Sequence, residues 1–133
     1  MKPQPEEEGR RWLAQAENDW NAARHLRAGG FLALSCFHAQ QSAEKAVKAY
    51  LYAQGAEEVW GHAVSQLLED AATFDQSLEE FFKMGAVLDK LYIPTRYPNG
   101  LPGGLPSEAY TEDEAKSALD RARQILDAIA QRL

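Results

Sequence analysis

Apolar residues recur along most of this chain at every third or fourth position, which is the spacing of one face of an α-helix. Glycine pairs and proline clusters interrupt the pattern, and no run of alternating residues predicts a strand. Helices are expected over residues 6–27, 32–54, 62–72, 77–91 and 111–133. The predicted fold class is therefore all-α, an up-and-down antiparallel helical bundle of four to five helices.

The first two predicted helices carry matching stripes of small residues. Ala16 and Ala23 lie on the apolar face of the first helix, and Ala39 and Ala43 lie on that of the second. Alanine lets two helix axes approach closely, and a glycine pair at residues 29–30 ends the first helix. We therefore expect the two helices to pack against each other as an antiparallel pair.

The stretch before the last predicted helix is rich in proline and glycine. Residues 93–109 (IPTRYPNGLPGGLPSEA) contain four of the six prolines of the chain and three of its glycines. Proline lacks an N–H and fixes φ, so no helix is expected until Thr111 and Glu114 form a capping box for the last one. Loops this long are uncommon in compact domains, and the sequence leaves open whether this one is a mobile connector or functional.

Length and charge restrict what the chain can do. Its 133 residues fit one domain over residues 1–133, and 45% of them are apolar. The net charge of −6 argues against a broad basic face that binds nucleic acid, so any phosphate site is expected to be local. A polar, acidic N-terminus, the lack of a bilayer-length apolar run and the lone Cys36 favour a cytoplasmic protein without a membrane span.

No cofactor and no metal are predicted. The sequence has no glycine-rich phosphate loop, no cluster of cysteines and histidines, and no nucleophile elbow. Cys36 falls on the apolar face of the second helix, where a thiol is usually inert.

The second predicted helix presents a polar stripe opposite its apolar face. The stripe comprises His38, Gln41, Lys45, Lys48 and Tyr52, with Glu44 at its edge. It is either the solvated side of an amphipathic helix or part of a pocket or interface. Histidine, glutamine and an aromatic residue are less usual than glutamate and lysine on a purely solvated face, which favours the second interpretation.

The proline-rich stretch offers a candidate phosphate ligand at residues 95–100 (TRYPNG). The planar guanidinium of Arg96 matches two phosphate oxygens, and the ring of Tyr97 or Tyr92 can stack on a base. Turn residues at 98–100 would hold Arg96 in a fixed direction. Alternatively, Arg96 pairs with a carboxylate such as Asp89 or Glu44 and only fixes the loop.

Two further residues need a partner or a role. Asp19 lies near the apolar stripe of the first helix, and a half-buried carboxylate there requires a cation such as Lys45 or Arg96. His62 follows a glycine at a predicted helix start, where a histidine more often caps or packs than catalyses.

The second-helix segment 36–49 (CFHAQQSAEKAVKA) resembles the signature of HEPN domains, the higher eukaryotes and prokaryotes nucleotide-binding family. Residues 61–62 (GH), 88–92 (LDKLY) and 95–98 (TRYP) follow in the order that family shows, and the resemblance extends from about Trp12 to Leu133. It implies an all-helical bundle that is usually a homodimer. In prokaryotes such a protein is often encoded beside a minimal nucleotidyltransferase, as a toxin–antitoxin pair.

Some members of that family are metal-independent ribonucleases in which four to six residues separate an arginine from a histidine. Here Leu101, Pro102 and Gly103 occupy the positions at which that histidine would follow Arg96, and no histidine follows anywhere. The resemblance therefore implies binding of a nucleotide or RNA phosphate more strongly than catalysis.

The sequence thus predicts one small site and leaves three functions open. The site consists of Arg96, Lys45, His38 and Tyr97, supported by Gln41, Glu44, Lys48 and Asp19. The functions are phosphate binding, non-catalytic partnership with a minimal nucleotidyltransferase, and an atypical ribonuclease using His38 or His62. The first is favoured and is compatible with the second.

Overall fold

The computed structural model describes residues 3–133, which form helices and no strand. Residues 1 and 2, which belong to the N-terminal stretch considered above, lie outside the described residues. The helices are α1 (Pro5–Ala28), α2 (Leu32–Ala53), α3 (Val64–Ala72), α4 (Phe82–Asp89), α5 (Pro106–Ala109) and α6 (Glu112–Ala130), with 3₁₀ turns at Gln76–Phe81 and Pro98–Gly100. The predicted all-α class is confirmed.

Helices α1 and α2 form the antiparallel pair that the alanine stripes predicted. Ala16, Ala23, Ala39 and Ala43 are fully buried, and Gly9 at the start of α1 lies opposite the end of α2. The long α6 packs on both helices and contributes a row of buried apolar residues, Leu119, Ala122, Ile125, Leu126 and Ile129. The predicted capping box at Thr111 and Glu114 is present, because each residue's side chain bonds the other's backbone N–H.

The stretch predicted as one helix over residues 77–91 is divided in two. A 3₁₀ turn begins after Asp75, whose carboxylate accepts a hydrogen bond from the backbone N–H of Ser77, and α4 begins only at Phe82. The tighter 3₁₀ winding rotates successive side chains by about 120° instead of about 100°, and Leu78 and Leu88 are both fully buried.

Helix α3 begins at Val64, two residues later than predicted, because its N-terminus is bonded by a residue from α4. Asp89 accepts hydrogen bonds from the Val64 N–H at 2.6 Å and from the Ser65 hydroxyl at 2.5 Å. The carboxylate of Asp89 thereby satisfies donors that no helical carbonyl can reach. Asp89 is not the partner of Arg96.

The expectation that the proline-rich stretch contains no helix was wrong. Pro106 opens the one-turn helix α5, since a proline at the first helical position lacks only an N–H that would have had no partner. Pro106 is buried and α5 contacts α2, while the Thr95 hydroxyl, also buried, donates to the carbonyl of Leu91. The stretch is therefore fixed on the beginning of α2. No helix in residues 3–133 combines the length and apolar character needed to cross a bilayer.

Candidate functional site

Arg96 lies among three aromatic rings. Its guanidinium carbon is 4.2 Å from the ring centre of Phe37, 4.7 Å from that of Tyr92 and 5.1 Å from that of Tyr97. Its Nε donates to the carbonyl of Tyr92 at 3.0 Å, and no carboxylate in residues 3–133 pairs with it. The rings hold the planar cation through cation–π contacts without neutralising its charge. The expected alternative, a pair with Asp89 or Glu44, is not observed.

The ring of Tyr92 also contacts His62. The two rings are stacked with their centres 4.7 Å apart and their planes 16° from parallel. The Nδ1 of His62 is 3.2 Å from a carboxylate oxygen of Glu44, and the carbonyl of His62 accepts a hydrogen bond from Gln40 at 2.9 Å. A histidine from the α2–α3 loop and an arginine from the proline-rich stretch thus share one tyrosine ring.

Glu44 and Lys48 form a buried ion pair beneath His62. The carboxylate and ammonium are 3.0 Å apart, and only 3% of Glu44 and 7% of Lys48 is exposed. Gln41 donates to Glu44 at 3.3 Å and to the side-chain carbonyl of Gln40 at 2.8 Å. This half of the polar stripe is not a solvated face. The charge of Lys48 is compensated by Glu44.

The other half of the stripe faces α1. Lys45 pairs with Asp19 at 2.6 Å, and Gln15 donates to the second oxygen of the same carboxylate at 3.1 Å. Asp19 therefore has the cation it required, and that cation is Lys45 rather than Arg96. Tyr52, at the end of the stripe, stacks on Trp12 with ring centres 5.0 Å apart.

His38 lies between these two groups. Its ring meets Phe37 edge-on at 5.1 Å, so it touches one of the rings around Arg96. Burial lowers the pKa of His38, with nearby Asp19 acting in the opposite direction and Lys45 in the same one. The neutral imidazole is therefore favoured.

The structure thus divides the predicted site residues. Arg96 and Tyr97 lie together; Glu44, Lys48 and Gln41 connect to them through His62 and Tyr92; Lys45 and Asp19 form a separate pair. Sequence reasoning missed Phe37, whose only signal was an aromatic residue beside the polar stripe of α2. It favoured a capping or packing role for His62 and considered it as a catalytic residue only in the ribonuclease alternative, since nothing local linked it to Glu44.

The described residues offer neither a metal site nor a reactive thiol. Residues 3–133 contain no cluster of three or more histidine, cysteine, aspartate or glutamate residues arranged to hold a metal ion. Cys36 is fully buried, and burial together with the charge of Glu114 raises the pKa of its thiol to about 12.

Several known proteins are similar to this chain in sequence, and two solved structures are similar to it in fold. The HEPN domain model matches residues 10–133. TT1696 from Thermus thermophilus is 40% identical with a TM-score of 0.89, covering 94% of this chain and 98% of that one. ST0689, described as an archaeal HEPN homologue, is 37% identical with a TM-score of 0.78, covering 99% and 98%. Putative toxin MJ1304 of Methanocaldococcus jannaschii is 29% identical over 128 residues, 89% of this chain and 83% of that protein. The chain therefore belongs to the HEPN domain family.

Proposed function

We propose that this HEPN protein binds a nucleotide or RNA phosphate at Arg96, with Tyr97 stacking on the attached base. The observation that supports this most is the guanidinium held among Phe37, Tyr92 and Tyr97 without a carboxylate partner. A planar cation fixed in direction loses little freedom when it binds two phosphate oxygens. Tyr97 is 50% exposed, so about half of its surface is accessible to a ligand such as a base.

Electrostatics favour a small site over an extended one. Lys45 and Lys48, which the sequence placed in the phosphate site, are compensated by Asp19 and Glu44. The net charge of −6 repels a long polyanion. Binding through Arg96 should therefore be modest, with a salt dependence corresponding to about one phosphate contact.

Replacing Arg96 tests this proposal. Calorimetric titration of the wild-type protein with AMP, ATP and a short single-stranded RNA should show binding that Arg96→Ala abolishes. Arg96→Lys should restore only part of it, because lysine keeps the charge but loses the planar fork. Arg24→Ala is the matched control, since Arg24 also lies over an aromatic ring, 5.6 Å from Trp20. An unchanged affinity in Arg96→Ala would contradict the proposal.

The biological setting that we propose is a cytoplasmic toxin–antitoxin-like system. The relative MJ1304, which is named a putative toxin, supports this role, and the family resemblance supports a homodimer and a minimal nucleotidyltransferase as partner. In such a system the protein could act through partner binding alone. Co-purification of this chain with a nucleotidyltransferase encoded beside it would test the association, and light scattering would give the mass of the assembly.

A second candidate function is a metal-independent ribonuclease with an atypical site. The observation that favours it is His62, which shares the ring of Tyr92 with Arg96 and is oriented by Glu44. A carboxylate that orients an imidazole is the usual support for a general acid or base. Cleavage of single-stranded RNA in EDTA, lost in His62→Gln and Arg96→Ala but kept in the exposed control His25→Gln, would establish it. Intact RNA after incubation with wild-type protein would exclude it.

A further inference from the structure

Trp60 is the most exposed large apolar side chain in residues 3–133. It is 81% exposed, whereas the next, Phe31, is 60% exposed. No ring, hydrogen-bond donor or acceptor in the described part of the chain contacts its indole. Tryptophan combines the largest apolar surface with a polar N–H, so it is usually found at least half covered.

The backbone on both sides of Trp60 is fixed. The N–H of Val59 donates to the hydroxyl of Tyr52 at 3.2 Å, and Gln40 donates to the carbonyl of His62 at 2.9 Å. Val59 itself packs against the core. Gly61 has φ +101°, a conformation that other residues rarely adopt, and it turns the chain sharply after the tryptophan. The exposed indole is therefore presented by an anchored loop rather than by a freely moving one.

Trp60 is connected to the Arg96 site through His62 and Tyr92. It precedes His62 by two positions, a distance of at most about 7 Å along the chain. His62 stacks on Tyr92, and Tyr92 contacts Arg96, which in turn contacts Tyr97. Along this series of contacts, aromatic rings precede and follow one cation. Such an alternation is typical of surfaces that bind consecutive bases of a single strand.

We propose that Trp60 is a stacking site for the base next to the nucleotide whose phosphate Arg96 binds. The ligand would then be a single-stranded oligonucleotide of at least two nucleotides, since bases in a duplex have no free face. The inference rests on the proposed phosphate site at Arg96.

The test compares oligonucleotides with a mononucleotide. Fluorescence anisotropy of labelled hexa-adenylate, as RNA and as DNA, gives the affinity for a strand, and competition by AMP gives that for one nucleotide. Trp60→Ala should weaken hexamer binding about 5- to 150-fold, the effect of losing one stacked base, and leave AMP competition unchanged. Trp60→Phe should retain part of the affinity. Phe74→Ala, which removes an aromatic side chain 57% exposed elsewhere, should change neither.

The outcomes separate the two proposals. If Trp60→Ala binds the hexamer as tightly as wild type while Arg96→Ala does not bind, the stacking site is wrong and the phosphate site stands. If wild-type protein binds no nucleotide or oligonucleotide, both are wrong. If Trp60→Ala changes only the mass of the assembly in light scattering, the indole is a protein contact and the stacking site is overturned. If Trp60→Ala weakens the binding of the RNA hexamer and of the DNA hexamer by the same factor, the indole recognises the base alone, and the proposal is supported.

Discussion

Glu44 is the most buried carboxylate in residues 3–133, with 3% of its surface exposed, and it serves three side chains. Lys48 compensates its charge, Gln41 donates to it, and His62 lies within 3.2 Å. A buried carboxylate is tolerated only when its charge and its lone pairs are satisfied, and here that requirement holds residues of α2 and the α2–α3 loop together. The same contact orients His62 toward Tyr92.

We predict that Lys48→Met destabilises the protein by about 3 kcal/mol, because it leaves the buried charge of Glu44 without its cation. The double variant Glu44→Gln with Lys48→Met should recover most of that loss, since an amide carries no charge to compensate. Urea denaturation of the two single variants and the double variant measures the coupling. If the losses in the free energy of unfolding of the two single variants add up to that of the double variant, Glu44 and Lys48 are not coupled, and burial of the pair has no energetic consequence.

Among the elements, α1 and α2 approach each other closely at Gly9. A Cβ at this position would lie 2.8 Å from the Cβ of Ala53 and 2.9 Å from the carbonyl oxygen of Ala49. Both distances are shorter than van der Waals contact, and one involves backbone that cannot rotate away. The spacing of α1 from α2 therefore depends on a residue without a side chain.

We predict that Gly9→Ala destabilises the protein by about 1–2 kcal/mol, although alanine is favoured over glycine in an isolated helix by about 1 kcal/mol. The steric overlap with α2 should outweigh the gain in helix propensity. Asn21→Ala, at an exposed position of the same helix, is the control and should be neutral or slightly stabilising. Stabilisation by Gly9→Ala in thermal unfolding would show that the helices can separate at little cost.

For the whole molecule, Cys36 reports on the integrity of the core. Its thiol is fully buried among α1, α2 and α6 residues, and its pKa is raised to about 12 by burial and by Glu114. The thiolate is the reactive form, so at about pH 8 the native protein should present neither an accessible nor an ionised sulfur.

We therefore predict that Ellman's reagent labels Cys36 only through unfolding. The labelling rate at about pH 8 should rise with urea in proportion to the fraction of unfolded protein measured by circular dichroism. A rapid rate that is independent of urea would reveal local opening, in which the proline-rich stretch that contacts α2 through α5 detaches before the bundle unfolds.

Sequence alone determined the features that depend on spacing within one segment. The 3.6-residue period predicted the long helices, the alanine stripes on either side of the glycine pair predicted the α1–α2 pairing, and Thr111 with Glu114 marked the start of α6. Segment 36–49 with the later TRYP motif indicated the HEPN family, and the domain match confirmed it. The helical period and the capping box each lie within a few turns of chain, where backbone geometry alone fixes which residues are neighbours. The α1–α2 pairing and the family followed from combining such local patterns from different segments.

Only the tertiary structure decided which side chains meet across segments. Nothing local shows that Asp89 binds the start of α3, that His62 lies against Glu44, or that His62 and Arg96 share one ring of Tyr92. Charged residues on one helical stripe look equivalent in sequence, and their partners depend on the loops that fold over them. The short helix at Pro106–Ala109 was missed for the same reason, because contact with α2 rather than propensity stabilises a single turn.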